Sequence, residues 1–371
     1  MLTALPGPLQ PFIQDEFKLN NTQLGGLTSA FSLSSAFAQL PAGWFADRIG
    51  PTILITIGIV GVGIGGVLIG LSTTYVMLIL FLIFLGIMSG GYHPASTPLI
   101  SISVPTNQRG RALGLHLIGG NSSFFLAPLI GGAIAAVWGW RASFLTLAIP
   151  TIVLGTFFFI YLNKRYGKAH VEAMRRRQAE EKPPQPGYKR RLIAYLTMMV
   201  LGGGAGASVN AFLSLYIKNQ LHASNEVATM AMSIVFSSGL WAGPVGGYIA
   251  DRIGSTKVII VTGILGGIVI FFLKEVQLGW GLWMVLWVMG LISALRFPVT
   301  EVFIMSQAPA KHRSTIYGIY YSTMQYSGAI FAPIMGGFID KYGYHTIFTF
   351  SAWAVTAVAV LTSIFIWDAK A

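Results

Sequence analysis

Gly43-Trp-Phe-Ala-Asp47-Arg48-Ile-Gly50 is the stretch that decides the fold, because it returns 204 residues later as Gly247-Tyr-Ile-Ala-Asp251-Arg252-Ile-Gly254. In both places a long apolar run precedes the motif, and another follows it at once. Charged residues between two runs of membrane length are expected in a tight turn at the water surface. The chain is therefore predicted to consist of two copies of one membrane unit.

The repeat extends beyond this motif. At the same offset, three residues of the first copy have identical counterparts in the second: Pro94 and Pro298, Arg109 and Arg313, Gly114 and Gly318. A Pro-x-x-Gly-Gly run recurs one residue out of step, at 128–132 and 333–337. Solenoid repeats have periods of roughly 20–50 residues. Each copy here is therefore predicted to be a whole helical bundle.

Composition places most of the chain in a membrane. The 371 residues are 54% hydrophobic and 10% charged, whereas a soluble domain has about 25% charged residues. Spanning helices need ~20 apolar residues, and barrel strands would show ~10-residue alternating segments. We predict an all-α membrane protein with eleven spans, at 23–46, 52–71, 75–104, 110–137, 142–162, 192–216, 225–250, 256–273, 280–305, 314–339 and 345–367.

These stretches divide into a first half at 1–162 and a second half at 192–371, joined by a basic linker at 163–191. The second half holds six stretches, and the first holds five plus a short stub from Met1 to about Phe12. We expect this stub to be a first helix that lacks about a dozen residues through a misplaced start or a truncation. A native eleven-helix protein is the alternative.

The net charge is +12, and the distribution of Lys and Arg along the chain follows the positive-inside rule. With the Asp-Arg turns assigned to the cytoplasm, 18 of the 24 Lys and Arg lie on that side, ten of them in the linker. Five lie on the other side: Lys18, Arg141, Lys218, Lys274 and Lys341. The linker and the C-terminus are expected in the cytoplasm, with anionic lipid headgroups as contacts of the linker. No basic surface outside the membrane is predicted that would bind nucleic acid.

These features resemble the Major Facilitator Superfamily of transporters. The Gly-x-x-x-Asp-Arg-x-Gly turn after the second and eighth helices is its best-known signature, and the Ala-Pro-x-x-Gly-Gly run and the long central linker agree. The resemblance covers the chain and implies two pseudo-symmetric six-helix bundles that alternate between two faces. The run Tyr92-His93-Pro94-Ala95 looks similar to exporters of the fosmidomycin-resistance type. The fourth helix lacks the membrane-embedded arginine that is typical of many proton-driven drug antiporters.

By this resemblance the two turns form a conformational latch. Its residues are Gly43, Asp47, Arg48 and Gly50, then Gly247, Asp251, Arg252 and Gly254, with Arg109 and Arg313. A carboxylate in such a turn can accept hydrogen bonds from a neighbouring helix N-terminus, worth roughly 0.3–1 kcal/mol. The alternatives are simple helix caps for the acids and headgroup anchors for the arginines.

Two charges interrupt the stretch 280–305. A charge at bilayer depth costs ~2.5–3.5 kcal/mol on insertion scales, so Arg296 and Glu301 are expected to face a wet cavity or a partner. Arg296 is suited to hold an anionic group through its planar fork, and Glu301 is predicted to carry a coupling proton. The alternative for both is a charge pair that closes this helix onto a neighbour.

His93 is a second candidate for proton coupling, because an imidazole titrates near neutral pH. Capping of a backbone carbonyl freed by Pro94 is its alternative. The predicted solute-binding residues are Arg296, Tyr317, Tyr321, Gln325, Asn210 and Asn121. Tyrosines offer an apolar ring with a polar tip, although packing between helices explains these tyrosines and asparagines equally well.

We therefore predict a monomeric multi-pass secondary transporter of a plasma or bacterial inner membrane. It moves a small organic solute, and an anionic solute is one option. The proton gradient drives it, without a cofactor or a metal. The alternatives are an exporter of drugs or metabolites by proton antiport and a membrane sensor of the same fold that does not transport. An enzyme is not expected, since no nucleophile–base motif stands out.

Overall fold

The structure is a computed structural model that describes residues 1–49, 51–103, 109–165, 186–307 and 313–367, and every regular element in these ranges is helical. The first half contains α1 (Gln10–Phe17), α2 (Asn21–Ile49), α3 (Pro51–Gly70), α4 (Tyr75–Gly90), α5 (Tyr92–Ser103), α6 (Arg109–Trp138) and α7 (Trp140–Arg165). The second half contains α8 (Tyr188–Met198), α9 (Gly204–Asn219), α10 (Asn225–Ser237), α11 (Ala242–Ile253), α12 (Ser255–Leu273), α13 (Trp280–Gln307) and α14 (Arg313–Ile366). A π-helical turn, Met199–Gly203, joins α8 to α9.

Within these ranges, eight helices are long and apolar enough to cross a membrane, or nine if the pair 225–240 and 242–250, bent by 46°, counts as one span. The longest, Ile319–Ile366, has 48 residues and would measure about 72 Å as a straight helix, over twice a bilayer core. It is interrupted at Gly343, so it makes two crossings. The serine-rich α2 is not in this set, and the number of eleven spans stays a prediction.

Repeat-related glycines turn the chain at equivalent places. Gly139, between α6 and α7, has φ +81°, and Gly343, which lies 204 residues later, has φ +78°. Glycine enters this left-handed region without the steric cost that a Cβ imposes. The sequence repeat is thus also a repeat of backbone conformation.

A second pair of related glycines sets close helix crossings. A Cβ at Gly86 of α4 would overlap the carbonyl oxygen of Phe31 on α2, and one at Gly290 of α13 would overlap that of Val235 on α10. The two contacts are again 204 residues apart on both sides. Small residues allow membrane helices to pack backbone against backbone, which supplies van der Waals contact where no hydrophobic driving force acts.

One predicted span has a local irregularity. The stretch 75–104 was expected as a single helix, and Tyr75–Ser96 is long and apolar enough to be one span, but its α-helical pattern lapses at Gly91, between α4 and α5. Pro94 has no N–H, and its ring opposes the carbonyl four residues earlier, at Gly90. Its repeat mate Pro298 lies inside the continuous α13. The lapse therefore depends on the Gly90–Gly91 pair as well as on the proline.

The stub at the start of the chain is not one helix, contrary to the expectation. A 3-10 turn at Leu2–Ala4 is followed by Pro6 and Pro8 before α1 begins, because prolines at these places cannot donate the hydrogen bonds of a continuous helix. Leu2, Leu5 and Leu9 are at most 1% exposed. The 3-10 turn packs on α3, α4, α6 and α7, so this segment fills the middle of the first half.

Two helix pairs run between the halves, α2 along α14 and α6 along α10. We call the end with residues 18–20, 71–74, 220–224 and 343 the outer end, and the end with residues 253–255 the inner end. The five basic residues assigned to the external side all lie at the outer end. The predicted linker is shorter than 163–191, since α7 runs to Arg165 and α8 begins at Tyr188.

Candidate functional site

A stack of aromatic rings joins the two halves. The imidazole of His93 on α5 lies against the ring of Tyr321 on α14, with centroids 5.7 Å apart and planes at 6°. Tyr92 meets His93 edge-on at 5.4 Å and stacks on His116 of α6 at 5.8 Å. We call these four residues the aromatic cluster. Tyr321 lies roughly 12 Å along α14 from its inner end, at 1.5 Å per residue.

The lapse at Gly91 positions the first-half members of the aromatic cluster. Tyr92 and His93 are the first two residues of α5, and neighbouring helical residues point about 100° apart. One ring therefore faces α6 and the other faces α14. The His93 side chain remains exposed although it lies among rings from three helices.

Two more predicted residues make contacts between the halves. Gln325 lies one turn beyond Tyr321, and its Nε2 is 3.5 Å from Ser35 Oγ on α2. Asn121 Nδ2 on α6 donates to the carbonyl of Gly239 at 3.0 Å. Gly239 belongs to the 3-10 turn where α10 bends into α11, and such a turn leaves carbonyls without helical partners. Both contacts link helices that alternating access would have to separate or slide.

Arg296 lies elsewhere. Its guanidinium borders a cavity of ≈ 20 Å³ whose lining, Met198, Gly202, Gly203, Gly263, Val355 and Ala359, comes entirely from the second half. Its Nη2 is 3.9 Å from Met198 Sδ. A space of that size holds about one water. In this conformation the structure therefore does not bring Arg296 together with the aromatic cluster, and its role in binding an anion stays a prediction.

Asn210 is half-buried on α9. Its Nδ2 donates to Gly206 of its own helix at 3.3 Å, and its Oδ1 is buried without a hydrogen-bond partner among the described residues. An amide left with one free acceptor in a membrane interior is costly. The Oδ1 of Asn210 is thus available to accept a hydrogen bond from a solute or from a helix in another arrangement, but no described contact places Asn210 in the aromatic cluster.

Most of the predicted latch cannot be described. Gly50, the surroundings of Gly43 and the side chains of five latch residues lie outside the described residues: Asp47, Arg48, Arg109, Asp251 and Arg313. The side chains of the predicted solute ligand Tyr317 and of the predicted proton carrier Glu301 also lie outside them. In the second turn the Arg252 guanidinium lies 4.5 Å from the Tyr248 ring. Gly254 has φ +92°, and nothing lies within 4 Å of the position that a Cβ on Gly247 would take. The latch stays a prediction.

Sequence reasoning missed a polar network at the outer end. Asp340 of α14 accepts hydrogen bonds from Asn21 at the start of α2, and Asp15 of α1 accepts one from Asn225 at the start of α10. The available signal was the 204-residue spacing of the two asparagines, each at the start of a predicted span. In the described part of the chain, no group of three or more His, Asp or Glu lies close enough to hold a metal ion.

Comparison with known sequences matches the whole chain. The sequence profile of the Major Facilitator Superfamily matches residues 1–207 and again residues 194–371. The chain is 28% identical over 362 residues to the multidrug resistance protein MdtG of Salmonella arizonae, covering 94% of this chain and 85% of that protein. It is 28% identical over 375 residues to MdtG of Proteus mirabilis, covering 97% and 90%.

Solved structures share the fold at low identity. A partially occluded inward-open conformation of the xylose transporter XylE from E. coli superposes with a TM-score of 0.77 at 14% identity, covering 99% of this chain and 94% of that one. A POT family transporter in complex with a thioalcohol-conjugated peptide gives 0.81 at 14% identity, covering 98% and 93%. A bacterial homologue of the lysosomal transporter Spinster, inward-facing and occupied, gives 0.73 at 16%, covering 99% and 94%.

Proposed function

Because the chain belongs to the Major Facilitator Superfamily, and so is a multi-pass membrane transporter, we propose that it exports small ring-bearing organic compounds in exchange for protons. The observation that carries this proposal is the stack of His93 on Tyr321 between the halves, in which His93 remains exposed. The relatives named multidrug resistance proteins support export over uptake. The inner end then faces the cytoplasm, as the charge distribution predicts.

The stack suggests how a solute would be recognised. Parallel aromatic faces gain roughly 0.5–1.5 kcal/mol beyond the area they bury. A flat solute that enters between His93 and Tyr321 takes over the contacts of both rings and moves α5 away from α14. Its binding then favours a different arrangement of the halves, which is the differential affinity that any solute-driven transition requires.

Proton coupling is proposed for His93 and Glu301. An imidazole in the solute stack binds a flat cation less well once it is itself protonated, so proton and solute would compete for one site. Competition of this kind is sufficient for antiport when the transporter without solute or proton changes only slowly between its two faces. Glu301 lies five residues, or about one and a half turns, from Arg296 on α13, toward the inner end, and would relay the proton there.

Transport in proteoliposomes with an imposed pH gradient tests this function. Ethidium serves as a flat cationic probe. We expect Tyr321→Ala to slow ethidium exchange about fivefold to tenfold, and Tyr321→Phe to leave it near the wild-type rate, because the ring rather than the hydroxyl makes the stack. Equal rates for the wild type and Tyr321→Ala would remove the cluster from the solute path.

A second probe separates the remaining alternatives. Fluorescein is a flat anion, so Arg296→Ala should stop its transport and spare that of ethidium if this arginine binds anionic groups. Glu301→Gln should abolish uphill accumulation and spare exchange if it carries the proton. A sensor that uses the same fold would bind a probe without accelerating counterflow, and that outcome would refute transport by this chain.

A further inference from the structure

Asp340 makes an unusual contact between the halves. Its Oδ1 accepts hydrogen bonds from the backbone N and the side-chain Nδ2 of Asn21 at 3.1 and 2.8 Å. Its Oδ2 accepts from the backbone N and the Oγ1 of Thr22 at 3.0 and 2.8 Å. These two N–H groups start α2 and have no partner inside the helix. A second-half carboxylate therefore caps a first-half helix.

Asp15 makes the reciprocal contact. It lies on α1 in the first half, pairs with Lys218 at the end of α9, and accepts a hydrogen bond from Asn225 Nδ2 at 2.7 Å. Asn225 is the first residue of α10. The carbonyl of Pro11, on the same short helix as Asp15, also accepts from Lys218 at 2.9 Å. A first-half carboxylate thus holds the start of a second-half helix.

The two contacts are related by the repeat and connected to each other. Asn21 and Asn225 lie 204 residues apart, and each begins the helix that follows the first outer turn of its half. Asn219 Nδ2 donates to Gln14 Oε1 at 3.3 Å and to Tyr344 Oη at 3.4 Å, and Tyr344 Oη donates to Asn21 Oδ1 at 2.8 Å. The network runs from Asp15's helix to Asp340 across both halves.

We propose that this network is the outer gate of the transporter, in which Asp340 and Asp15 hold the repeat-related asparagines Asn21 and Asn225. The gate keeps the outer end closed while the solute site communicates with the inner end, and the outer end opens when both carboxylates release. Isolated surface ion pairs contribute little. Here Asp340 instead meets a helix start, where charge-assisted bonds to free backbone N–H groups are stronger, and Asp15 adds a charge-assisted bond from the side chain of Asn225.

The gate rests on the alternating access of the proposed function, and distance measurements test it directly. The chain has no cysteine, so spin labels can be placed without background. Thr73 and Gln277 are exposed repeat mates at the outer end, and Ile53 and Lys257 are exposed repeat mates near the inner end. Double electron–electron resonance on the pair Thr73→Cys and Gln277→Cys reports outer opening, and the pair Ile53→Cys and Lys257→Cys reports the inner end.

Asp340→Asn should raise the population with long outer distances about tenfold and shift the inner pair to shorter distances. Asn225→Ala removes the amide donor to Asp15 and leaves its pair with Lys218, so it should act in the same direction with a smaller effect. Glu275→Gln is the matched control, since this outer-end acid pairs with Lys274 and His345 of its own half and should change neither pair. Size-exclusion chromatography confirms that each variant is folded.

The gate is refuted if Asp340→Asn and Asn225→Ala both give the outer distances of Glu275→Gln. If Asp340→Asn is not monodisperse in size-exclusion chromatography, the outer distances of Asn225→Ala alone decide whether the gate exists. A wild-type protein whose inner and outer distances never change in opposite directions, with ethidium or with a pH gradient, would instead refute alternating access. That result is independent of whether Asp340→Asn opens the outer end.

Discussion

Gly25→Ala should drive the outer end of the protein open. A Cβ on Gly25 of α2 would lie 2.7 Å from Pro333 Cα, 2.8 Å from the Ala332 oxygen and 2.8 Å from Pro333 N. All three atoms are backbone atoms of α14, in the other half, so no side-chain rotation relieves the overlap. The strain falls only when α2 and α14 move apart, and that is the motion that opens the outer end.

The expected size follows from overpacking, which costs typically about 1–3 kcal/mol. Alanine also stabilises a helix by about 1 kcal/mol relative to glycine, but α2 is helical in both conformations, so this gain cancels between them. The closed-to-open ratio at the outer end should therefore fall by roughly fivefold to 150-fold. Unfolding of the protein should change much less, because each half keeps its own packing.

The spin-label pair on Thr73→Cys and Gln277→Cys measures this ratio. Gly337→Ala is the matched control, since a Cβ there would make an ordinary contact of 3.4 Å with Thr22 Oγ1 across the same helix pair. Gly25→Ala should lengthen the outer distance, whereas Gly337→Ala should not. If the two variants give the same distance distribution, the α2–α14 contact does not close the outer end.

Two further predictions concern pH and packing. Burial raises the pKa of Asp15, but hydrogen bonds from Asn225 and Lys218 and the charge of Lys218 lower it by more, so its net pKa lies below the usual 3.8. A lowered pKa gives stability that is complete above the usual value and is lost only as the pH falls through the lowered one. The outer distances should therefore not respond through Asp15 between about pH 5 and pH 8, and a transition in this range that Asp15→Asn removes would contradict this. Gly290→Ala should lower the thermal stability in detergent by about 1–3 kcal/mol because its Cβ overlaps the Val235 carbonyl, whereas Gly266→Ala, with nothing within 4 Å, should not; equal melting temperatures would show that this crossing adjusts freely.

The repeat in the sequence predicts much of the fold, because it records backbone geometry. Gly139 and Gly343 turn the chain alike, and the family resemblance is confirmed by the profile match over both halves. Helix irregularities are harder to predict. A lapse in the helical pattern at Gly91 precedes Pro94, whereas Pro298 lies inside a continuous helix, although both prolines lack the same donor. The outcome depends on neighbouring glycines and on what packs beside the freed carbonyl, which a single sequence does not contain.

The site is less predictable for a related reason. Sequence analysis singled out His93 and Tyr321 separately, but their contact depends on helix rotation and on which arrangement of the halves is populated. Arg296 looked like a solute ligand from its depth, yet its cavity belongs to the second half. Asp340 lies just past the predicted span 314–339, and the sequence analysis did not single it out. Its partner, Asn21, is 319 positions away in sequence, and no local pattern reports such a contact.

The register of α2 on α14 connects the outer gate with the latch predicted at the inner end. Contacts between them pair Asn21 with Asp340, Gly25 with Pro333, Ser29 with Ala329 and Ser35 with Gln325. The two numbers in each pair add to nearly the same value, so the helices run antiparallel, and the same register sets Asp47 level with Arg313, where α14 begins. The latch predicted at Asp47 and the observed contact of Asp340 thus fall at opposite ends of the same helix pair.

Such a pair has the properties of a two-state element. α2 has 29 residues and measures about 43 Å, so a small tilt near the aromatic cluster separates one end by several ångströms while the other end closes. By the proposed gate, Asp340 caps α2 only when the outer end is closed, and by the predicted latch, Asp47 would act on the start of α14 only when the inner end is closed. If both hold, the two carboxylates stabilise opposite states of one helix pair. Alternation would then follow from helix-end electrostatics, and the solute and the proton would need only to shift the balance between the two ends.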